Sequence, residues 1–564
     1  MVPKSLSPFY TQYRTLLRRM KRGLFLMINQ IVVKNFFRFT DFRMRFADDL
    51  NILVGNNEAG KSTIVRALEM VLSGRFGGRP LEAAISPYWF PRSVAQAYVT
   101  GIRNDPQYPI PAIVVESYFK DDPSLVSYQG NNNSLALKVP GIRLEISFNP
   151  IFEDEYKSYI ESPDQVHSIP VEFFKVERLD FAGHPVLGVR PPVSVAIIDA
   201  STLRLQSGTD YYLQRSIEQN LTVEQRARLA LAFRAQHEDL SADPALASAN
   251  EGLRVDQPTL RDREVALSMD VSTHSSWERS VVPHVDNVPF SQIGQGEQSA
   301  FKILLALQAK GENRHVIVVE EPENHLSHAN LNVLLRRVRD RVADGHQQLI
   351  ITTHSSFVLN KLGIDKLRLL GDDTYATMES LDDDTQRYFL RLAGYDTLRL
   401  VLARAVILVE GPSDELIVQK AYLQRFKRLP LDDGIDVISV HSLAFKRFLS
   451  LASHLNRRAA VVTDLDTDPE AARARFEKYE KEAGIIRGFI GQVAAGKTLE
   501  PQLVASAGLA TLNRILEKNF DDASELAHYM TNRKAECALR IFESPEDIIM
   551  PDYIEGAINH VTES

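Results

Sequence analysis

Cysteine is almost absent: Cys537 is the single one in 564 residues. One thiol cannot close an intramolecular disulfide or build a cysteine-based zinc ribbon, and it suits a reducing, cytoplasmic setting. Long apolar runs are missing too. The longest are short pieces such as Val316–Val319 and Ala405–Val409, far below the roughly 20 residues that span a bilayer, so an integral membrane protein is excluded and no membrane partner is expected. A surplus of positive charge is also lacking. Lys and Arg number 65 against 73 Asp and Glu, a net charge of −8, which argues against a protein wrapped wholesale in nucleic acid but leaves room for a local basic groove. Internal repeats and low-complexity blocks do not occur. The remainder is ordinary for a globular chain with sizeable cores: 44% hydrophobic, 24% charged, and long enough for three or four units at about 150 residues each.

Residues 1–26 carry Arg14, Arg18, Arg19, Lys21 and Arg22 ahead of a short apolar piece. That piece is too short for a secretory core, so the segment reads as a basic extension without fixed structure. From Met27 the pattern is β-β-α. Asn51–Val54 forms a buried strand, a glycine turn follows, and Ile64, Val65, Leu68, Val71 and Leu72 recur at helical spacing. The turn, Gly55-Asn56-Asn57-Glu58-Ala59-Gly60-Lys61-Ser62, fits G-x-x-x-x-G-K-[ST] in the strand–loop–helix setting that gives this pattern its meaning. Its glycines let backbone N–H groups (Asn56, Gly60, Thr63) turn toward phosphates. Lys61 reaches the β- and γ-phosphates, and the Ser62 hydroxyl binds Mg²⁺.

A phosphate loop needs a second strand bearing carboxylates. Val316–Val319 runs into Glu320-Glu321-Pro322, which places Glu320 on the metal side and Glu321 against the hydrolytic water. Upstream, Ser291–Gln298 contains Gly294, Gly296 and Gln298 just before a helix. Downstream, the strand Leu349–Thr352 leads to His354. In order and spacing the four pieces resemble an ABC-type ATPase head of the SMC-like kind, with signature, Walker B, D-loop (324–327) and switch His354. The resemblance implies ATP as cofactor. It also implies at least a homodimer, because the signature of one subunit completes the ATP site of another. The insert between P-loop and signature lacks sustained heptads, so a compact helical dimerisation insert is expected.

A second motif set follows. Ala405–Val409 runs into Glu410-Gly411-Pro412-Ser413-Asp414-Glu415, and Ala460–Thr463 into Asp464-Leu465-Asp466. Strand ends project side chains to one sheet edge, and D-x-D sets two carboxylates on one side of the chain. Glu410, Asp464 and Asp466 can converge there, and carboxylate ligation suits Mg²⁺ or Mn²⁺. Asp414, with Glu415 as an alternate, stands close by in sequence. The pair of motifs resembles a Toprim domain. A topoisomerase would need a separate cleavage domain with a nucleophilic Tyr, and a bacterial primase would normally bring a zinc ribbon; a nuclease is left.

An ABC ATPase followed by Toprim is the layout of the OLD (overcoming lysogenisation defect) family nucleases, which residues 392–422 in particular resemble. Gabija-type defence nucleases share this layout and act with a helicase-like partner. The resemblance implies Glu410, Asp414, Asp464, Asp466 and, in Thr498–Leu503, Glu500 as metal ligands of a two-metal nuclease, with Lys534 offsetting charge on the scissile phosphate. The expected fold class is α/β: an ABC/SMC-like P-loop ATPase head interrupted by a mostly helical dimerisation insert, then a C-terminal Toprim α/β domain. The expected bounds are 1–26 extension, 27–165 and 276–390 ATPase, 166–275 insert and 391–564 Toprim. The expected activity is ATP-dependent, divalent-metal-dependent DNA cleavage in phage defence or DNA processing. The alternative is an ATP-gated SMC-like DNA sensor with a regulatory Toprim domain. Candidate DNA-backbone contacts are Arg336, Arg337, Arg339 and Arg341, then Arg457 and Arg458, then Arg473, Arg475 and Lys478.

Overall fold

The structure, a computed structural model, describes residues 26–56, 58–186, 193–199, 221–255, 267–268, 277, 284–308, 316–324, 326–344, 347–371, 373–378, 385, 388, 395–464, 476 and 485–563. Residues 1–25 of the basic extension, parts of the insert, and Asp466, Arg473, Arg475 and Lys478 lie outside the described residues. Two compact units part between Thr353 and His354, with Leu53–Ala59 grouped with the second.

The first unit begins with an antiparallel sheet. Strands β1 (Ile28–Phe36), β2 (Phe39–Arg45), β4 (Ile113–Phe119), β5 (Val139–Phe148) and β6 (Phe174–Asp180) lie in the order β2-β1-β4-β5, with β6 also paired to β5. Every residue of β4 is buried, Glu116 and Ser117 included. Glu116 is accommodated because its carboxylate accepts from the Tyr118 hydroxyl at 2.7 Å, the Ser134 amide at 2.9 Å and Arg143 at 2.6 Å.

Parallel strands β7 (Val195–Asp199), β8 (Val316–Glu320) and β9 (Gln348–Thr352) form a second sheet, with β3 (Leu50–Val54) next to β9. Strands β3, β8 and β9 are buried throughout. Their near-continuous apolar runs are what a parallel strand covered on both faces requires. The two sheets are stitched together by Gln348, fully buried, whose amide accepts from Ile28 N at 3.0 Å and donates to Ile28 O and Ala47 O, each at 2.8 Å. Helix α1 (Lys61–Ser73) follows β3. In the insert, α2 (Val223–Ser241) starts at a Thr222–Gln225 capping box and α3 (Pro244–Val255) follows it. No residue of α2 is buried. Helices α4 (Gln295–Gln308) and α5 (His328–Asp344) flank β8 in sequence.

The second unit holds an antiparallel pair, β10 (Leu367–Leu370) and β11 (Tyr375–Thr377), and centres on a parallel sheet in the order β13-β12-β14-β15, from β12 (Ala405–Val409), β13 (Ile435–Ser439), β14 (Arg458–Thr463) and β15 (Ile486–Ile490). Helices α6 (Pro412–Phe426), α7 (Leu499–Ala507), α8 (Lys534–Glu543) and α9 (Asp552–Thr562) cover it. Ile407, Val409, Ile417, Tyr422, Leu503, Cys537, Ile554 and Ile558 belong to one continuous core. Because β12 and β14 run parallel and are neighbours, Glu410 and Asp464 leave the sheet at the same edge.

Candidate functional site

The turn after β3 closes with an Ala59 N–Asn56 O hydrogen bond of 3.0 Å, leaving Asn56 exposed. Gly60 takes φ +94°, and a Cβ there would strike the Phe39 ring. Only glycine is compatible with that turn. Helix α1 then starts with no side-chain cap and no acidic residue in its first turn, so its first N–H groups and dipole remain available to an anion. Lys61 is buried, and burial pulls its pKa down to about 8 although Glu321 and Glu323 pull it up. An anion beside it would push the pKa back up and hold the ammonium charged. Ser62 is exposed at the first turn and Thr63 is buried.

Glu320 ends β8 in register with Thr352 on β9 and Asp199 on β7, and is 8% exposed. Glu321 has φ +45°, a left-handed backbone unusual for a side chain of its size. It is held there by Glu321 N donating to Thr352 O at 2.9 Å and by Asn324 Nδ2 donating to Glu321 Oε2 at 2.8 Å. Thr353 donates to Glu323 at 2.7 Å. Lys61 and the carboxylates of Glu321 and Glu323 thus share one electrostatic neighbourhood. The signature residues are placed differently. Gly294 is exposed and Gly296 lies inside α4, whereas Gln298 is buried and donates through Nε2 to Ile293 O at 3.0 Å. Its amide is therefore engaged at home. His354 is part-buried, one residue ahead of the cap of helix Ser356–Leu362.

In the second unit, Glu410 Oε1 accepts from Thr463 Oγ1 and from Asp464 N, the latter at 3.1 Å. These bonds tie the ends of β12 and β14 together. Asp414 sits in the first turn of α6, accepting from Gly411 N at 3.0 Å. Glu500, on α7, is buried; it accepts from Thr498 Oγ1 at 2.7 Å and pairs with Lys534 at 3.4 Å from the start of α8. Burial and then Glu410 raise Asp414 to about 6, with Glu500 adding to the rise and Lys534 opposing it. Burial, Asp414 and Glu410 raise Asp464 to about 8. Glu410, Asp414, Asp464 and Glu500 therefore crowd one another with a single lysine as counterweight. Among the described residues no three of these carboxylates close around one point. The donor set nevertheless fits a hard divalent cation: it is all oxygen, and its mutual repulsion is relieved by positive charge.

Two expectations are corrected. Glu415 is not a spare ligand: it pairs at 3.3 Å with Arg399, which also binds Asp436 at 2.6 Å and Val437 O at 2.6 Å. Arg457 is no DNA contact either, for burial lowers its pKa and its guanidinium turns inward to Val401 O at 3.5 Å. Arg336, Arg337 and Arg339 are exposed on α5. No motif legible in the sequence assigns a role to Thr463 and Thr498, which orient the carboxylates, or to Tyr553, which lies in the field of all four. For Thr463 the signal was available, as the last residue of an apolar strand.

Residues 401–466 match the family model for the overcoming lysogenization defect protein-like TOPRIM domain. Residues 27–148 match an AAA ATPase domain, and residues 231–360 an AAA domain described as a putative AbiEii toxin of a type IV toxin–antitoxin system. An OLD nuclease of Thermus scotoductus is 29% identical over 251 residues, 39% of this chain and 46% of that protein. The chain thus spans under half the length of that curated relative. Among solved structures, the C-terminal region of the Xanthomonas campestris pv. campestris OLD protein is 23% identical over 29% of this chain and 94% of its own, with a TM-score of 0.23. The SMC head domain from Thermotoga maritima is 15% identical over 62% of this chain and 97% of its own, with a TM-score of 0.27. Among the described residues no helix is long and apolar enough to cross a membrane.

Proposed function

We propose that this OLD-like chain, an ATPase domain followed by an OLD-like Toprim domain, is an ATP-dependent nuclease that hydrolyses DNA phosphodiester bonds at its C-terminal carboxylate centre. The observation that carries the reading is the convergence of Glu410 and Asp464 at one sheet edge, tied by a 3.1 Å hydrogen bond, with Asp414 and Glu500 raising the local negative charge. A divalent pair, Mg²⁺ or Mn²⁺, would supply there an activated water and positive charge for the leaving oxygen. Glu410, Asp414, Asp464, Glu500 and Asp466 would hold it. Lys534, 46% exposed, reaches solvent beside Glu500, where its ammonium can offset charge on a bound phosphate.

At the other centre Lys61, Ser62 and the open start of α1 bind the nucleotide phosphates, and Glu321 orients the water that attacks them. The four carboxylates repel one another, yet no three close around one point among the described residues, which favours a centre that draws together only when loaded; nucleotide bound at the ATPase domain gates cutting. On α2, Val223, Leu229 and Leu231 face solvent, with Val223 75% and Leu231 68% exposed, which supports pairing of two inserts (166–275) in a homodimer or higher oligomer. A role in phage defence and a helicase-like partner belong to the same reading. The test is cleavage of supercoiled plasmid with Mg²⁺ or Mn²⁺. Glu410→Gln is expected to abolish cutting and leave ATP hydrolysis intact; cutting that survives in this variant assigns the chemistry elsewhere. Loss of ATP hydrolysis with retained cutting in the same variant would contradict the division of labour.

A further inference from the structure

The carboxylate centre has a neighbour that no motif marks. Tyr553 lies in the first turn of α9 and is 7% exposed. The direction of α9 fixes where its two ends fall. At its C-terminal end, Arg458 Nη1, from the first residue of β14, donates to His560 O at 3.0 Å, and His560 Nε2 lies 3.0 Å from Ile485 O, just before β15. At its N-terminal end, Gln492 Nε2, two residues beyond β15, donates to Asp552 at 3.2 Å. Helix α9 therefore runs antiparallel to the strands, and its first turn stands at the edge from which Glu410 and Asp464 emerge. Midway, Gly556 lets the helix lie close on β15, for a Cβ there would come within 3.0 Å of the Phe489 ring.

Buried tyrosines ordinarily find a partner for the hydroxyl, and the other buried ones among the described residues do. Tyr98 bonds Tyr156 at 3.0 Å, Tyr118 bonds Glu116 at 2.7 Å and Tyr422 bonds Asp433 at 2.6 Å. The Tyr553 hydroxyl makes no hydrogen bond with any residue. Its nearest charged surroundings are Asp464, Asp414, Glu500 and Glu410. Although the side chain is mostly enclosed, its hydroxyl is not sealed from solvent, so an incoming oxygen can reach it and supply the acceptor that the protein does not.

Resting on the nuclease reading above, we infer that the Tyr553 hydroxyl donates a hydrogen bond to a non-bridging oxygen of the phosphodiester being cut. It would share with Lys534 the charge that grows there. Four carboxylates and their cations recognise only the metal-facing oxygens of a phosphate, whereas an uncharged donor beside them can engage another oxygen without displacing a cation. Tyr553→Phe removes the hydroxyl alone and breaks no hydrogen bond within the protein.

The experiment uses the full chain with supercoiled plasmid, ATP and Mn²⁺, comparing wild type, Tyr553→Phe and Glu410→Gln. The Phe variant is expected to lose about 10- to 100-fold in the cleavage rate at saturating DNA. Its KM for DNA, its Mn²⁺ affinity by electron paramagnetic resonance, its ATP hydrolysis and its melting temperature should be unchanged. Wild-type cleavage rates in Tyr553→Phe overturn the inference while leaving the nuclease reading standing. A matching fall in Mn²⁺ affinity also overturns it, since the tyrosine would then serve the carboxylates and not the substrate. Wild-type protein that leaves plasmid uncut, or equal cutting by Glu410→Gln, sinks the reading of the site and this inference with it.

Discussion

Asp464→Asn should make the metal-free protein more stable at pH 8 while abolishing cleavage. Asp464 titrates near pH 8 in the folded chain against an ordinary 3.8, because burial and the charges of Asp414 and Glu410 disfavour its ionised form. The sign follows from which state holds the proton. Below about pH 4 both the folded and the unfolded chain carry it, and the group contributes nothing. Between about pH 4 and pH 8 the unfolded chain releases the proton and the folded chain keeps it, so stability falls as pH rises; above pH 8 the deficit is constant. At about 1.36 kcal/mol per pKa unit the ceiling is roughly 6 kcal/mol. The folded chain relaxes around the buried charge and the introduced asparagine must itself bury a polar amide, so about 2–3 kcal/mol should survive substitution. For a unit of about 200 residues that corresponds to roughly 5–10 °C in melting temperature. Differential scanning calorimetry in EDTA at pH 5 and pH 8 would measure it, the variant's advantage growing toward pH 8. Added Mn²⁺ should raise the melting temperature of wild type far more than that of the variant. An Asn variant no more stable than wild type at pH 8, or equally helped by Mn²⁺, would show that these carboxylates are not crowded and hold no cation.

Glu321→Gln should retain ATP binding, measured with a fluorescent analogue, and lose about 100-fold or more in hydrolysis, because the amide keeps the Asn324 contact but cannot orient water as a base. Equal hydrolysis would move the catalytic carboxylate to Glu320 or Glu323. Arg399→Ala strands Asp436 and Glu415 without their cation and should cost about 2–4 kcal/mol in urea unfolding of the C-terminal unit. An unchanged midpoint would mean that water replaces the guanidinium there.

Both centres were legible where an apolar strand ends in a charged residue. Val316–Glu320, Ala405–Val409 and Arg458–Thr463 announce themselves as buried strands, and a parallel sheet brings consecutive strand ends to one edge, so Glu320, Glu410 and Asp464 could be placed from pattern alone. What pattern could not give is pairing at long range. Nothing in the sequence around Glu415 reveals that Arg399 claims it, since the tie runs through Asp436 on another strand. Gln298 reads as a ligand-facing signature residue, yet a hydrogen bond to Ile293, five residues back, turns it inward. Tyr553 lies 143 residues beyond Glu410, and only the antiparallel run of its helix returns it to that edge. The antiparallel sheet from Ile28 to Asp180 was blurred because β4 buries Glu116 and Ser117 among apolar neighbours, breaking the alternation that would mark it.

The main chain of Glu321 hangs from Thr352, at the tip of the adjacent strand, by a 2.9 Å hydrogen bond. A small displacement of that tip would swing the carboxylate before its own strand stirred. The carboxylate proposed to orient water is thus mounted on a neighbouring strand like a hand on a lever, and a shift of Thr352 would carry it along.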